Sequence, residues 1–160
     1  MKRGTTLFLK IAVILMGVPI FAICIFLVPD IGRFAAELYP EFTFIKYLVW
    51  IDMYAAAIPY YLALYQSIKL LSYIDHNIAF SQHSVNGLKN IKRCAIAISS
   101  IYVVGLPLFY LIAERDDAPG IIVIGMVLIF ASMVIAVFAA VLQRLLQEAI
   151  NIKQENDLTV

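Results

Sequence analysis

One ionisable side chain in this sequence lies where water is scarce. Asp52 falls roughly 8 Å beyond Tyr47 along a helix rising about 1.5 Å per residue, inside a long apolar stretch. A charge at membrane depth costs about 2.5–3.5 kcal/mol on insertion scales, and less toward the interface, so such a residue is a functional candidate by default. A carboxyl there could take up and release a proton or line a path for an ion. The structural alternative is a position just beneath the headgroups, with the carboxyl bonded to a tyrosine hydroxyl such as that of Tyr110, or paired with Lys46 or Arg115. Gln66, further along the same stretch, is the second intramembrane polar candidate.

Other chemistry is thinly represented. His76 and His83 share one connection with no cysteine and only scattered acids, a poor set for zinc, so neither a metal nor another cofactor is expected. Cys24 and Cys94 fall at opposite ends of their helices, too far apart for a disulfide whose Cα atoms must lie within about 7 Å. They serve as small packing residues. No GxSxG, HExxH, P-loop or dinucleotide fingerprint occurs, and no helix carries paired carboxylate or histidine ligands, so enzyme activity is not expected.

The elements that must position Asp52 follow from the apolar runs. With 63% hydrophobic and 14% charged residues, and a mean hydropathy of +0.92, this 160-residue chain has too little polar surface to be soluble. Its solvent is the lipid bilayer. The net charge of +1 and the lack of a basic stripe argue against direct nucleic-acid binding. A helix crosses the roughly 30 Å hydrocarbon layer in about 20 apolar residues, because every backbone polar group must be satisfied within its own segment. Residues 11–28, 47–68, 94–113 and 118–142 qualify, and Pro29 and Asp30 close the first run. An all-α membrane domain of four transmembrane helices is the expected fold.

Orientation follows from Lys and Arg, which are retained on the cytoplasmic side. With the N-terminus inside, Lys2, Arg3, Lys10, Lys69, Lys89, Lys92, Arg93, Arg144 and Lys153 are cytoplasmic, and only Arg33, Lys46 and Arg115 are outside. Both termini are therefore expected in the cytoplasm. Tyr39, Tyr47, Trp50 and Tyr110 suit an aromatic belt at the outer boundary.

Helix association in lipid favours small residues at contact faces. Ser132, Ala136 and Ala140 form such a stripe on the fourth helix, and Gly125 opens its outer half to a neighbour. On the second, Asp52, Ala56, Pro59, Ala63 and Gln66 lie along one face that should point inward. Pro19, Pro59 and Pro107 each remove a backbone hydrogen bond and predict bends, read either as hinges or as tolerated kinks.

The inner connection, residues 69–93, is too long and too organised for a simple hairpin. Asp75 and Asn77 are turn formers, and Ser81 is placed to cap the following helix through its hydroxyl. Val85, Leu88, Ile91 and Ala95 then share a face, so the third helix should project from the membrane. Asp75, Ser81, Leu88, Lys89 and Lys92 are the candidate contacts for a partner; a stub lying on headgroups or against the C-terminal tail is the alternative. In the tail, residues 143–160, two amphipathic turns should end near residues 151–154 and give way to a stretch without helical periodicity.

The segments Tyr73-Ile74-Asp75 through Ala79-Phe80-Ser81, Leu88-Lys89-Asn90-Ile91-Lys92 and Glu155-Asn156-Asp157-Leu158-Thr159-Val160 resemble the YoaS-like family of small bacterial membrane proteins, a domain of unknown function. The resemblance spans nearly the whole chain. It implies a four-helix protein of the bacterial plasma membrane, often encoded beside a small helix-turn-helix transcription factor, and carries no catalytic residue. Two functions are compatible with these features, beside a structural reading as a scaffold with no ligand. One is a non-enzymatic membrane regulator or sensor holding a cytosolic partner through residues 72–93 and the tail. The other is a small transporter or channel that uses Asp52, Gln66 and the kinked helices, and needs a homo-oligomer to enclose a path.

Overall fold

The computed structural model describes residues 3–158, which are helical apart from short turns. Lys2, Thr159 and Val160 lie outside the described residues. Helix α1 (Arg3–Ala22) passes through a π-helical turn (Ile23–Leu27) into α2 (Val28–Leu38). A 3-10 turn (Pro40–Phe42) leads to α3 (Ile45–Asp75), followed by α4 (Gln82–Asp116) and α5 (Gly120–Leu158). Four helical stretches are long and apolar enough to cross a membrane: Gly4–Leu38, Ile45–Asp75, Gln82–Asp116 and Gly120–Leu158.

The first helix does not close at Pro29 and Asp30. The wider π turn ahead of Pro29 accommodates the ring, and the chain stays helical to Leu38. The Val28 N–H reaches back five residues to the Ile23 carbonyl. In that spacing Cys24 would be served next by residue 29, a proline with no N–H to give. The Tyr54 hydroxyl takes its place, donating to the Cys24 carbonyl at 2.8 Å. Below Pro19, Tyr60 and Tyr61 donate in the same way to the carbonyls of Met16 (2.6 Å) and Gly17 (2.7 Å). Tyr54 and Tyr61 are two turns apart on α3, as Cys24 and Gly17 are on the first span, which fixes an antiparallel register.

Residues 69–93 form no extended connection. α3 and α4 continue toward one another and meet in the short turn 76–81. Asn77 adopts the left-handed conformation (φ 59°), with the Ile78 N–H bonded to the Tyr73 carbonyl and the Asn77 N–H to that of Ile74. Asn tolerates this backbone, which returns the last carbonyls of α3 their partners. Asp117 (φ 52°) does the same after α4, with the Ala118 N–H on the Ala113 carbonyl, and α5 starts at Gly120 directly after Pro119. Helix α5 continues to Leu158, so residues 155–158 are helical where an irregular tail was expected.

The helices pack in a row that follows the chain: α1 and α2 against α3, α3 against α4, α4 against α5. Among the described residues α1 and α5 share no substantial contact. The row has a buried nucleus at the end opposite the termini, where Ala35, Tyr39, Ile45, Val49 and Ile112 pack together. On α3, Ala56 is buried and Asp52, Pro59, Ala63 and Gln66 are all sheltered, while Ile51, Ile58 and Leu62 face outward, as the spacing predicts. Ala136 and Ala139 are the buried small residues of α5, with Ser132 and Ala140 partly covered beside them. Gly125 meets Leu106 of α4 closely, and the Ser99 hydroxyl donates to the Ile129 carbonyl at 3.1 Å.

Candidate functional site

Asp52 lies between α3 and α4, against a glycine. A Cβ on Gly105 would collide with every atom of the Asp52 carboxyl, so only glycine leaves room for the group there. Its Oδ2 is buried without a hydrogen-bond partner among the described residues. The carboxyl lines a lateral groove of about 450 Å³ with Leu48, Ala55, Ser100, Val104 and Leu108 among its walls. The Tyr102 ring, on the other side of α4, lines an apolar cavity of about 290 Å³ walled by Phe34, Met53, Phe109 and Ile124.

The pairings considered for Asp52 are not formed. Lys46 instead lies over the rings of Tyr47 (5.0 Å) and Trp50 (5.9 Å), and Tyr110 is exposed on the far side of its helix. Arg115 serves the opposite-end turn. It donates to the Leu38 carbonyl and to Glu41 Oε1, both at 2.9 Å, and stacks over Tyr39 at 4.2 Å. Tyr39 is core rather than belt, 8% exposed, with its hydroxyl on the Leu111 carbonyl at 2.6 Å. Gln66 is sheltered on α3 two helical turns past Pro59, well separated from Asp52 along the helix. Groove and carboxyl together could hold a proton or a small cation; among the described residues no three His, Cys, Asp or Glu side chains converge.

The second candidate region is the α3–α4 turn at the end carrying the termini. Asp75 is the last residue of α3 and not a turn residue, and its Oδ2 pairs with Lys10 of α1 at 2.9 Å. Ser81 stands at the N-cap of α4, but its hydroxyl donates to the Ile78 carbonyl at 2.6 Å and forms no cap bond. The Ser81 carbonyl accepts from the amides of Ser84 and Val85 instead. Leu88, Lys89 and Lys92 are half-buried along α4, because Val85 and Gly87 pack inward, Gly87 directly on Leu70. Among the exposed residues of this end, beside the polar His76, Asn77, Gln82 and His83, are two large apolar ones, Ile78 and Phe80, 42% and 58% exposed. Their signal in the sequence is two large apolar residues inside a turn.

Comparison with known proteins agrees with this architecture without adding a mechanism. A family model described as "Protein of unknown function (DUF2975)" matches residues 30–160. The uncharacterized membrane protein YoaS of Bacillus subtilis (strain 168) is 67% identical over 160 residues, covering all of both chains. No solved structure matches.

Proposed function

The chain belongs to the DUF2975 family of membrane proteins of unknown function, and we propose that it is a non-enzymatic regulator of the bacterial plasma membrane whose cytoplasmic end holds a soluble protein. Both termini and the α3–α4 turn are cytoplasmic in this reading, in keeping with the excess of Lys and Arg there. The observation that supports it is the exposure of Ile78 and Phe80 on a turn held in one shape. The left-handed Asn77, the Ser81–Ile78 bond and the Lys10–Asp75 pair fix that turn from three sides. A rigid protrusion carrying two large apolar side chains suits insertion into a cleft of a partner. Asp75 and Ser81 then act as struts, and Leu88, Lys89 and Lys92 flank the contact. A helix-turn-helix protein is the partner class that the family resemblance suggests.

Photo-crosslinking in living cells from residue 80 tests this, comparing wild type with Ile78→Ser/Phe80→Ser. A soluble protein captured by the wild type, absent from the variant and necessary for a shared transcriptional response supports the regulator. Capture of lipid alone, or an unchanged response in the variant, overturns it.

A second reading, an oligomeric transporter or channel, draws on the unpartnered oxygen of Asp52 in its lateral groove. Asp52→Asn should then abolish ion or proton flux in liposomes, and unchanged flux removes it.

A further inference from the structure

Helix α5 carries an apolar seam that no other described part of the chain covers. We propose that this seam pairs two copies of the protein as a parallel two-stranded coiled coil, beginning in the membrane and ending in water. The proposal is independent of any cytosolic partner.

The level at which α5 leaves the lipid follows from the packing register. Gly87 lies on Leu70, Gly105 on Asp52, and Ser99 bonds to Ile129. Lys69, Lys89 and Lys92 are thereby level with about residues 136–140 of α5, and such a basic belt marks the edge of the hydrocarbon. The same register sets Gln82, where α4 begins, beside Leu146. The helix beyond projects past α4 by roughly 18 Å at about 1.5 Å per residue. Ile150 is still buried against its own chain, so the uncovered end is residues 151–158, too short to hold helical form alone in water, where fewer than about 12–15 residues seldom do.

Past the belt, exposed apolar side chains no longer have lipid to meet. Leu142, Leu145 and Ile152 are 51%, 56% and 66% exposed. With Ala149 and Asn156 they alternate steps of three and four, the spacing of a coiled-coil seam. The rhythm continues back into the lipid through Phe138, Ile135, Ala131 and Leu128, all exposed. Of the buried residues of α5, Ala136 and Ile150 lie on the other side of the helix and Ala139 flanks the seam on that side, and they hold the helix to its own chain.

Charge selects a second copy as the occupant. Two copies inserted in the same sense must pair in parallel, and in a parallel coil the residue preceding each first seam position faces the residue following the second seam position of the next heptad. Glu148 precedes Ala149, and Lys153 follows Ile152. Each Glu148 would face Lys153 of the other copy, two attractive pairs by symmetry. Glu148 is 63% exposed and only loosely engaged with Arg144, at 3.9 Å. Asn156 falls at a first seam position, where a polar residue fixes register and strand number.

Full-length protein in its own membranes, with Cys24 and Cys94 replaced by serine, provides the test. Single Leu145→Cys, Ile152→Cys, Asn151→Cys and Gln154→Cys variants are oxidised and resolved by size. The expected result is a crosslinked dimer several-fold more abundant for the two seam positions than for Asn151→Cys and Gln154→Cys. Equal crosslinking at all four positions, or none at the seam, overturns the proposal. In the Ile152→Cys background, Glu148→Lys should lower the yield and Glu148→Lys/Lys153→Glu should restore it. Failure of the restoration rejects the parallel register.

Discussion

The hydroxyl of Tyr54 occupies the carbonyl of Cys24 at 2.8 Å, the acceptor for which Pro29 supplies no donor. Backbone and side chain are coupled across two helices, so their removal should not be additive. Tyr54→Phe leaves a carbonyl unsatisfied in the apolar layer and should destabilise the protein by about 0.6–2 kcal/mol, the range for hydrogen bonds between membrane helices. In a Pro29→Ala background residue 29 regains its N–H, and the same substitution should cost much less. Denaturant unfolding in mixed micelles measures both; equal losses in the two backgrounds would show that Tyr54 does not replace the missing donor.

Pro29 also shows where the sequence is legible and where it is not. The four apolar helices, the sheltered face of Asp52 and Ala56, and the close approach at Gly125 follow from composition and spacing, which lipid makes nearly binding. Helix ends do not. A proline after an apolar run normally stops a helix, and here a tertiary bond from Tyr54 serves the carbonyl that the π turn leaves unpaired. Asp75 reads as a turn former until Lys10, far away in sequence, fixes it as the end of α3. The setting of Asp52 was hidden because its neighbour, Gly105, has no side chain. Glycine within an apolar helix is itself a signal of close approach.

Gly105→Ala should therefore destabilise the α3–α4 contact by about 1–3 kcal/mol, the usual range for overpacking. The cause is a collision with one identifiable group, so the loss should shrink in an Asp52→Ala background, with a coupling of about 0.5–3 kcal/mol. A double-mutant cycle by the same unfolding assay checks this. Additive losses would place the strain elsewhere.

Trp50 is the single tryptophan of the chain, and its Nε1 is buried without a partner among the described residues, where a Cβ on Gly32 would stand. Gly32→Ala should move the indole, because the added atom would also come within 2.7 Å of Cδ1 and 2.9 Å of Cε2. The ring lies near the end of the apolar span beside Lys46 and should turn toward the hydrated headgroups. Its fluorescence should shift to longer wavelength and become more accessible to an aqueous quencher. An unchanged spectrum in a folded variant would mean that the backbone of α2, and not the indole, gives way.

Glu41 connects the opposite-end turn to solution pH. Its carboxyl is held below the usual carboxylate range, first by a hydrogen bond from its own backbone amide and, against the opposing effect of burial, by the hydrogen bond and charge of Arg115. A carboxyl whose folded value is depressed contributes stability that is complete above its ordinary value, near 4.5, and fades as pH falls through the lowered folded value. The pair is nearly half exposed on both sides, so the contribution is modest and screened by salt. Glu41→Gln should lower the unfolding midpoint slightly at neutral pH, and the gap from wild type should close as the buffer approaches about pH 3, below the reference carboxylate value. Arg115 also holds the Leu38 carbonyl and covers Tyr39, neither of which titrates in this range. Arg115→Gln should therefore keep a deficit in acid that Glu41→Gln loses, and midpoints for the three proteins across that pH range separate the ionic part of the clamp from the rest.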